Sequence, residues 1–263
     1  MNKFILISGP CLIEEEKSAM QIATHVKALC DRMGIHYVFK GSFKKANRTS
    51  LGSKMGIGDI EALQILQNIG KSLGIETLTD IHESTDAALA AKYVDHLQIP
   101  AFLCRQTDLL IAAGETGKGV NIKKGQFLSP EAMKFPLEKV QSTGNKKIWL
   151  TERGVTFGYS ELIVDATAIT RLKEHGMPVI MDCTHATQKP NRTEGTTGGD
   201  PAMIETLALS AVATGADGLF IETHPDPKSA GSDSATMLQM DKLEKVLERV
   251  MVMREAYLKT RGM

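Results

Sequence analysis

The sequence predicts a (β/α)8 barrel that takes up the whole chain, 1–263, as one domain, and three observations predict it. Short, near-continuous apolar runs alternate with longer amphipathic ones. Eight such pairs can be laid along the chain. Polar side chains gather where each short run ends.

Strands are expected at 4–8, 37–40, 76–79, 96–99, 120–123, 148–151, 179–182 and 219–222. Consecutive apolar residues, as in Tyr37-Val38-Phe39, suit a parallel sheet covered on its outer face. Helices are expected at 14–32, 59–73, 84–92, 107–113, 130–141, 160–175, 201–214 and 242–258. In the second of these Ile60, Leu63, Leu66 and Ile69 recur at helical spacing, with Asp59 expected as its N-cap and Ser84 as that of the third. Gly34, Gly74, Gly114, Gly144, Gly176 and Gly215 each follow such a segment, where helices commonly stop. A doubly wound open sheet is the alternative, but no Gly-x-Gly-x-x-Gly turn follows the first strand. The Gly- and Thr-rich stretch 188–200 follows the seventh strand and is a candidate lid; a second polar stretch, 226–234, follows the eighth.

Composition narrows the function. Lys and Arg number 31 against 31 Asp and Glu, a formal net charge of +0, and aromatics make up 5%, which argues against a nucleic-acid binder. No apolar run approaches the roughly 20 residues of a membrane span. The start, Met1 to Ser8, is interrupted too soon by Gly9-Pro10 for a signal peptide. Cys11, Cys30, Cys104 and Cys183 contain no C-x-x-C pair and are expected as reduced thiols, which makes the cytoplasm the expected location.

The strand ends carry the chemistry. They hold Cys11 after the first strand, Lys40 to Arg48 after the second, Asp80 and His82 after the third, and Gln98 at the fourth. Lys123 and Lys124 close the fifth, Thr151-Glu152-Arg153 the sixth, Asp182-Cys183-Thr184-His185 the seventh and Glu222-Thr223-His224 the eighth. In a barrel this is the face where active sites are built. The segment from Phe39 to Thr49 packs four cations and several short polar side chains into a neutral chain, which suits a phosphorylated, acidic small molecule.

Cys11, His185, Glu222 and Asp233 would converge at such a mouth and suit iron(II), zinc, cobalt or manganese. The same four also fit a structural account, with a buried thiol, a hydrogen-bonded imidazole and a capping aspartate. Spacing does not decide between them. Cys183 and His185, two apart, would share a face of an extended segment as a nucleophilic pair. The lysines also permit a Schiff-base aldolase or a non-catalytic sugar-phosphate binding protein.

The motifs resolve this by resemblance. Gly9-Pro10-Cys11, Phe39-Lys40, Lys45-Ala46-Asn47-Arg48-Thr49, Thr79-Asp80-Ile81-His82-Glu83 and Gln98 to Leu110 stand in order. Asn121 to Phe127, Thr151-Glu152-Arg153-Gly154, Phe157-Gly158-Tyr159, Asp182 to His185 and Glu222-Thr223-His224-Pro225 follow. Over nearly its whole length the chain resembles the 3-deoxy-D-manno-octulosonate 8-phosphate synthases. These condense phosphoenolpyruvate with arabinose 5-phosphate, release phosphate, and supply a lipopolysaccharide sugar. The related 3-deoxy-arabino-heptulosonate 7-phosphate synthases, which use erythrose 4-phosphate, read Lys-Pro-Arg-Thr where this chain reads Lys-Ala-Asn-Arg-Thr.

Cys11, where metal-independent members carry Asn, places the chain with the metal-dependent group, and the resemblance implies Cys11, His185, Glu222 and Asp233 as ligands of a divalent ion. Ala216-Asp217-Gly218, where some metal-dependent members read Cys-Asp-Gly, departs without removing a ligand. The resemblance further implies that Lys40, Ser42, Lys45, Lys123 and Arg153 hold phosphoenolpyruvate, with Gln98 beside it. Asn47 would meet the sugar, and Arg48 with Thr49 its phosphate. Asp80, Glu222 and His185 are the expected proton-handling groups, Lys44 is expected to be solvated, and a homotetramer is the expected assembly.

Overall fold

The computed structural model describes residues 3–46, 55–159, 161–189 and 198–262. Eight parallel strands form the barrel: β1 (Ile5–Gly9), β2 (His36–Lys40), β3 (Glu76–Asp80), β4 (His96–Ile99), β5 (Gly119–Lys123), β6 (Ile148–Glu152), β7 (Val179–Asp182) and β8 (Gly218–His224). Each pairs with the next, and β1 closes the ring by pairing with both β2 and β8, Ile5 lying opposite His36 and Gly218. The expected (β/α)8 architecture is therefore present.

The period-two alternation of the strands builds two apolar layers. Ile7, Val38, Leu78, Ile180 and Phe220 point inward and fill the barrel floor. Their neighbours, among them Leu6, Phe39, Ile122, Leu150 and Ile221, point outward against the helices. Helix α2 (Asp59–Leu73) meets that outer face with Ala62, Leu63, Ile65, Leu66 and Ile69. Fully burying such a Leu or Ile contributes about 1.5–3 kcal/mol. The remaining helices are α1 (Glu16–Met33), α3 (Ser84–Ala90), α4 (Thr107–Glu115), α5 (Lys134–Gln141), α6 (Ala168–Lys173), α7 (Ile204–Ala213) and α8 (Met240–Thr260).

The same alternation sets the chemistry above the floor. Two residues on from Val38, Leu78, Ile180 and Phe220 stand Lys40, Asp80, Asp182 and Glu222, so these charges share the inward face. Gly9 occupies the matching place after Ile7. A Cβ there would overlap the Lys40 carbonyl oxygen, so only glycine lets β1 and β2 approach at the level of the site.

Several local expectations are corrected. The segment expected as helix from 160 opens as an antiparallel hairpin, Val155–Phe157 with Glu161–Ile163, turning at Gly158 with φ of 66°. Asp165 Oδ1 accepts from the Thr167 amide at 2.8 Å, and α6 starts only beyond that turn. Asp59 is the first helical residue of α2 and Gly58 its N-cap. Ser84 does not cap α3; the Asp86 carboxylate does that work, accepting from the amides of His82 at 3.0 Å and Glu83 at 3.1 Å. Gly114 does not end a helix; it lies within α4, packed against Thr143. The ends of the stretch 188–200 pair with each other, Gln188 with Gly199 and Lys189 with Gly198. All four cysteines are free thiols. Among the described residues no helix is long and apolar enough to cross a membrane.

Gly9→Ala is expected to lower the unfolding free energy by about 1–3 kcal/mol, the usual cost of overpacking. Urea denaturation followed by circular dichroism reads this directly. An unchanged midpoint would show that β1 and β2 separate without cost.

Candidate active site

Three of the four expected metal ligands meet directly. The Cys11 thiol, a Glu222 oxygen and an Asp233 oxygen all lie within 4.8 Å of one another. Cys11 follows β1, Glu222 belongs to β8, and Asp233 sits in the following loop with φ of 48°. Cys11 Sγ donates to Asp233 Oδ2 at 2.9 Å and lies 3.2 Å from Ser232 Oγ. His185 borders the group, its Nε2 3.7 Å from Glu222 Oε2. Its Nδ1 is 2.8 Å from Asp182 Oδ2, and its amide donates to Asp182 Oδ1 at 2.9 Å. Asp182 thus fixes the imidazole and leaves Nε2 facing Glu222, the arrangement by which carboxylates commonly orient metal-binding histidines. Glu222 Oε2 is buried without a hydrogen-bond partner. A thiol, an imidazole nitrogen and two carboxylates around an unsatisfied buried oxygen fit a divalent ion.

The lysines stand among these groups. Lys40 Nζ donates to Glu222 Oε1 at 2.7 Å, to the Cys11 carbonyl at 2.9 Å and to Ser42 Oγ at 3.2 Å. Ser42 Oγ donates to Asp80 Oδ1 at 2.6 Å, so Lys40, Ser42 and Asp80 form one network. Lys45 is buried beside them. Lys123 Nζ donates to Asp182 Oδ2 at 2.7 Å and lies 3.8 Å from the centre of the Phe220 ring. Arg153 is buried, with Nη2 donating to Gln188 Oε1 at 2.7 Å and Nη1 without a partner. Gln188 reaches Asp233 Oδ1 at 3.4 Å, which ties the arginine to the Cys11 group.

Each charge is held by its neighbours. Burial is the largest influence on Glu222 and raises its pKa, but Lys40, His185 and Lys45 outweigh it and hold the carboxyl below the usual range. Asp80 follows the same balance, with Lys45, Lys40 and His82 overcoming burial, and Asp233 does so through Lys45 and His185. For Lys45 burial pulls the pKa down, and Cys11, Asp80, Glu222 and Asp233 more than reverse it. For Lys123 burial wins over Asp182 and Glu222, and its pKa falls. Burial, then Asp233 and Glu222, push the Cys11 thiol far up, so a cation among them is what would favour the thiolate.

Gln98, in register with Asp80, accepts from Asn121 Nδ2 at 3.0 Å, and Asn121 Oδ1 in turn accepts from Thr151 Oγ1 at 2.6 Å. Asn47, Arg48 and Thr49 lie outside the described residues. Lys44 is not merely solvated; it pairs with Asp86 at 2.6 Å and Asp59 at 3.7 Å. The Cys183–His185 pair does not form. β7 ends at Asp182, Cys183 belongs to the outer apolar layer, and burial pushes its thiol well up. Sequence reasoning did not assign Asp182, although its i,i+3 spacing to His185 was a usable signal. It also missed Gln188, for which the sequence offers no local cue.

A model of the DAHP synthetase I family matches residues 1–259. Among curated proteins, the 2-dehydro-3-deoxyphosphooctonate aldolase of Brucella canis is 50% identical over 246 residues, covering 94% of this chain and 89% of the relative. Proteins of the same name from Chelativorans sp. and Brucella anthropi are 49% and 48% identical, again over 94% of this chain. With strand order, mouth and motifs in agreement, the chain belongs to the DAHP synthetase I family.

Proposed function

We propose that the chain condenses phosphoenolpyruvate with D-arabinose 5-phosphate and water, giving 3-deoxy-D-manno-octulosonate 8-phosphate and inorganic phosphate. The observation that carries this reading is the set of Lys40, Lys45, Lys123 and Arg153 converging beside the Cys11–Glu222–Asp233 group, with Arg153 Nη1 unpaired. The names of relatives near half identity support the sugar.

In the reaction C3 of phosphoenolpyruvate attacks the sugar aldehyde, forming the C–C bond. Water adds at C2, and the hemiketal phosphate breaks the C2–O bond to the phosphate as its C2 hydroxyl becomes the ketone, the hydroxyl proton leaving with the phosphate. The water gives up a proton and the aldehyde oxygen gains one. Lys40, Lys45, Lys123 and Arg153 bind the carboxylate and phosphate, Arg153 as a fork and the lysines as point charges. Ser42 and Gln98 are neutral partners of the same substrate. Asn47, Arg48 and Thr49 are assigned to the sugar phosphate. Holding both substrates in attack geometry can supply about 7–11 kcal/mol of the barrier.

Asp80 and Glu222, kept ionised by the surrounding cations and for that reason weak bases, are the carboxylates assigned to receive the proton from water. Cys11, His185, Glu222 and Asp233 would hold a divalent ion, whose chemistry when bound is Lewis-acid polarisation of oxygen and orientation of the sugar. His185 then serves as a ligand more than as a proton carrier. The residues suit iron(II), zinc, cobalt or manganese. The protein is assigned to the cytoplasm as a homotetramer. Exposed Phe102, Phe127, Phe135, Phe157 and Tyr159 are large apolar side chains available for burial between subunits. Sedimentation equilibrium should give four subunits, and a monomer mass would reject the tetramer.

Phosphate release should follow mixing of the protein with phosphoenolpyruvate and arabinose 5-phosphate. A preference for erythrose 4-phosphate would reassign the substrate. Lys123 has the depressed pKa of a Schiff-base lysine, but its Nζ is engaged by Asp182. Borohydride added with arabinose 5-phosphate should therefore leave the protein mass unchanged, and a covalent adduct would support the aldolase reading instead.

Chelator dialysis should abolish turnover, with recovery on adding divalent ion. Cys11→Asn should lose tight metal binding by elemental analysis while keeping some turnover. Full activity of metal-free protein, or undiminished metal content in the variant, would exclude the ligand set.

A further inference from the structure

Lys124 and Glu152 break the pattern of the barrel wall. The outward positions of β5 and β6 are Val120, Ile122, Ile148 and Leu150, all in the outer apolar layer. The next outward positions are Lys124 and Glu152, each only 1% exposed. They stand side by side, since Lys123 is in register with Thr151 and the Lys124 amide donates to the Thr151 carbonyl at 2.8 Å. Two charges in an apolar layer cost several kcal/mol each in desolvation unless fully used.

Their hydrogen bonds show the use, complete for the ammonium and carried for the carboxylate by Oε1 alone, Oε2 being buried without a partner. A lysine ammonium has three donors. Lys124 Nζ sends them to the carbonyls of Gly125 at 3.3 Å, Leu128 at 3.2 Å and Gly154 at 3.2 Å. Glu152 Oε1 accepts from the amides of Arg153 at 3.0 Å and Gly154 at 2.6 Å. The ion pair between them closes at 3.5 Å. Lys124 therefore ties the turn after β5 to the turn after β6, and Glu152 folds the second turn back on itself at Gly154, where φ is 87°. Arg153 sits inside this clamp. Its backbone is gripped from the outer side of the wall, and its side chain crosses to the inner side toward Gln188.

We propose that Lys124 and Glu152 are positioning residues that fix the 152–154 turn so that the Arg153 guanidinium meets the phosphoenolpyruvate anion. The inference rests on the substrate reading given above. It separates two adjacent lysines that are alike in sequence: Lys123 faces the substrate, and Lys124 shapes the arginine that binds it.

The test is steady-state kinetics of the metal-loaded protein for Glu152→Ala, Glu152→Gln and Gly154→Ala, with melting temperatures measured alongside. Glu152→Ala removes the acceptor, Glu152→Gln keeps one oxygen for the two amides, and Gly154→Ala strains the turn while leaving both charges in place. KM for phosphoenolpyruvate should rise about tenfold or more in Glu152→Ala and Gly154→Ala. KM for arabinose 5-phosphate should stay within about twofold, and Glu152→Gln should recover most of the affinity. Should Glu152→Ala fail to fold, Gly154→Ala and Glu152→Gln still carry the comparison. Lower melting temperatures with unchanged KM for phosphoenolpyruvate would overturn the clamp. Absence of turnover in the wild-type protein would instead overturn the substrate reading, and direct binding of phosphoenolpyruvate by calorimetry separates the two failures.

Discussion

The Lys40–Glu222 ion pair joins β2 to β8 across β1 at the point where the barrel closes, and both side chains are almost wholly buried. Neither charge is sustainable there alone. Removing one partner of such a pair typically costs about 3–5 kcal/mol, because the other is left uncompensated. Lys40 meets the cost by using every donor: Glu222, the Cys11 carbonyl and Ser42. That choice fixes three further things. It places the Cys11 backbone, it orients Ser42 toward Asp80, and it occupies one Glu222 oxygen while leaving the other bare. The rest of the mouth is arranged around this constraint.

Charge is then distributed in matched pairs at the strand ends. Lys123 is set against Asp182, and Lys45 lies in the field of Asp80, Glu222 and Asp233. When an anion enters, Lys40 and Lys123 have to turn a donor from these partners toward it, while the strand ends that carry them stay in place. What lacks a partner is informative as well. Arg153 Nη1 and Glu222 Oε2 are buried and unbonded, and they are of opposite sign. One invites an anion and the other a cation. A phosphorylated carboxylate and a divalent ion satisfy both.

The sequence showed this architecture because a parallel strand writes its inward face every second residue. Val38 to Lys40, Leu78 to Asp80, Ile180 to Asp182 and Phe220 to Glu222 are one rule used four times, with a floor residue and a site residue two steps apart. Reading polar residues at strand ends without counting parity lost part of the information. Lys123 and Lys124, or Glu152 and Arg153, look equivalent as composition and face opposite sides of the wall. Counting on from Ile122 and Leu150 would have placed Lys124 and Glu152 outside. The Cys183–His185 pair failed for a related reason, because extended geometry was assumed past Asp182, where a 3-10 turn begins at His185. Gln188 was beyond reach, since its link to Arg153 is set by a loop and not by a strand register.

The wall around Arg153 shows how the two faces of a barrel cooperate. Lys40 and Lys123 are held by Glu222 and Asp182 on the ligand's side, whereas the guanidinium has among the described residues no carboxylate in hydrogen-bond contact there to compete with an anion. Arg153 accordingly makes a neutral bond, to Gln188, on the inner side. Its position is secured instead through its backbone, by charges placed behind the sheet where no ligand reaches. Lys124 and Glu152 neutralise one another, so the clamp adds little net field to the site while fixing its geometry. An apolar pair at the same positions would pack more cheaply but would offer nothing to the Gly154 carbonyl or to the Arg153 and Gly154 amides. The buried ion pair thus gives the arginine its direction from behind the sheet.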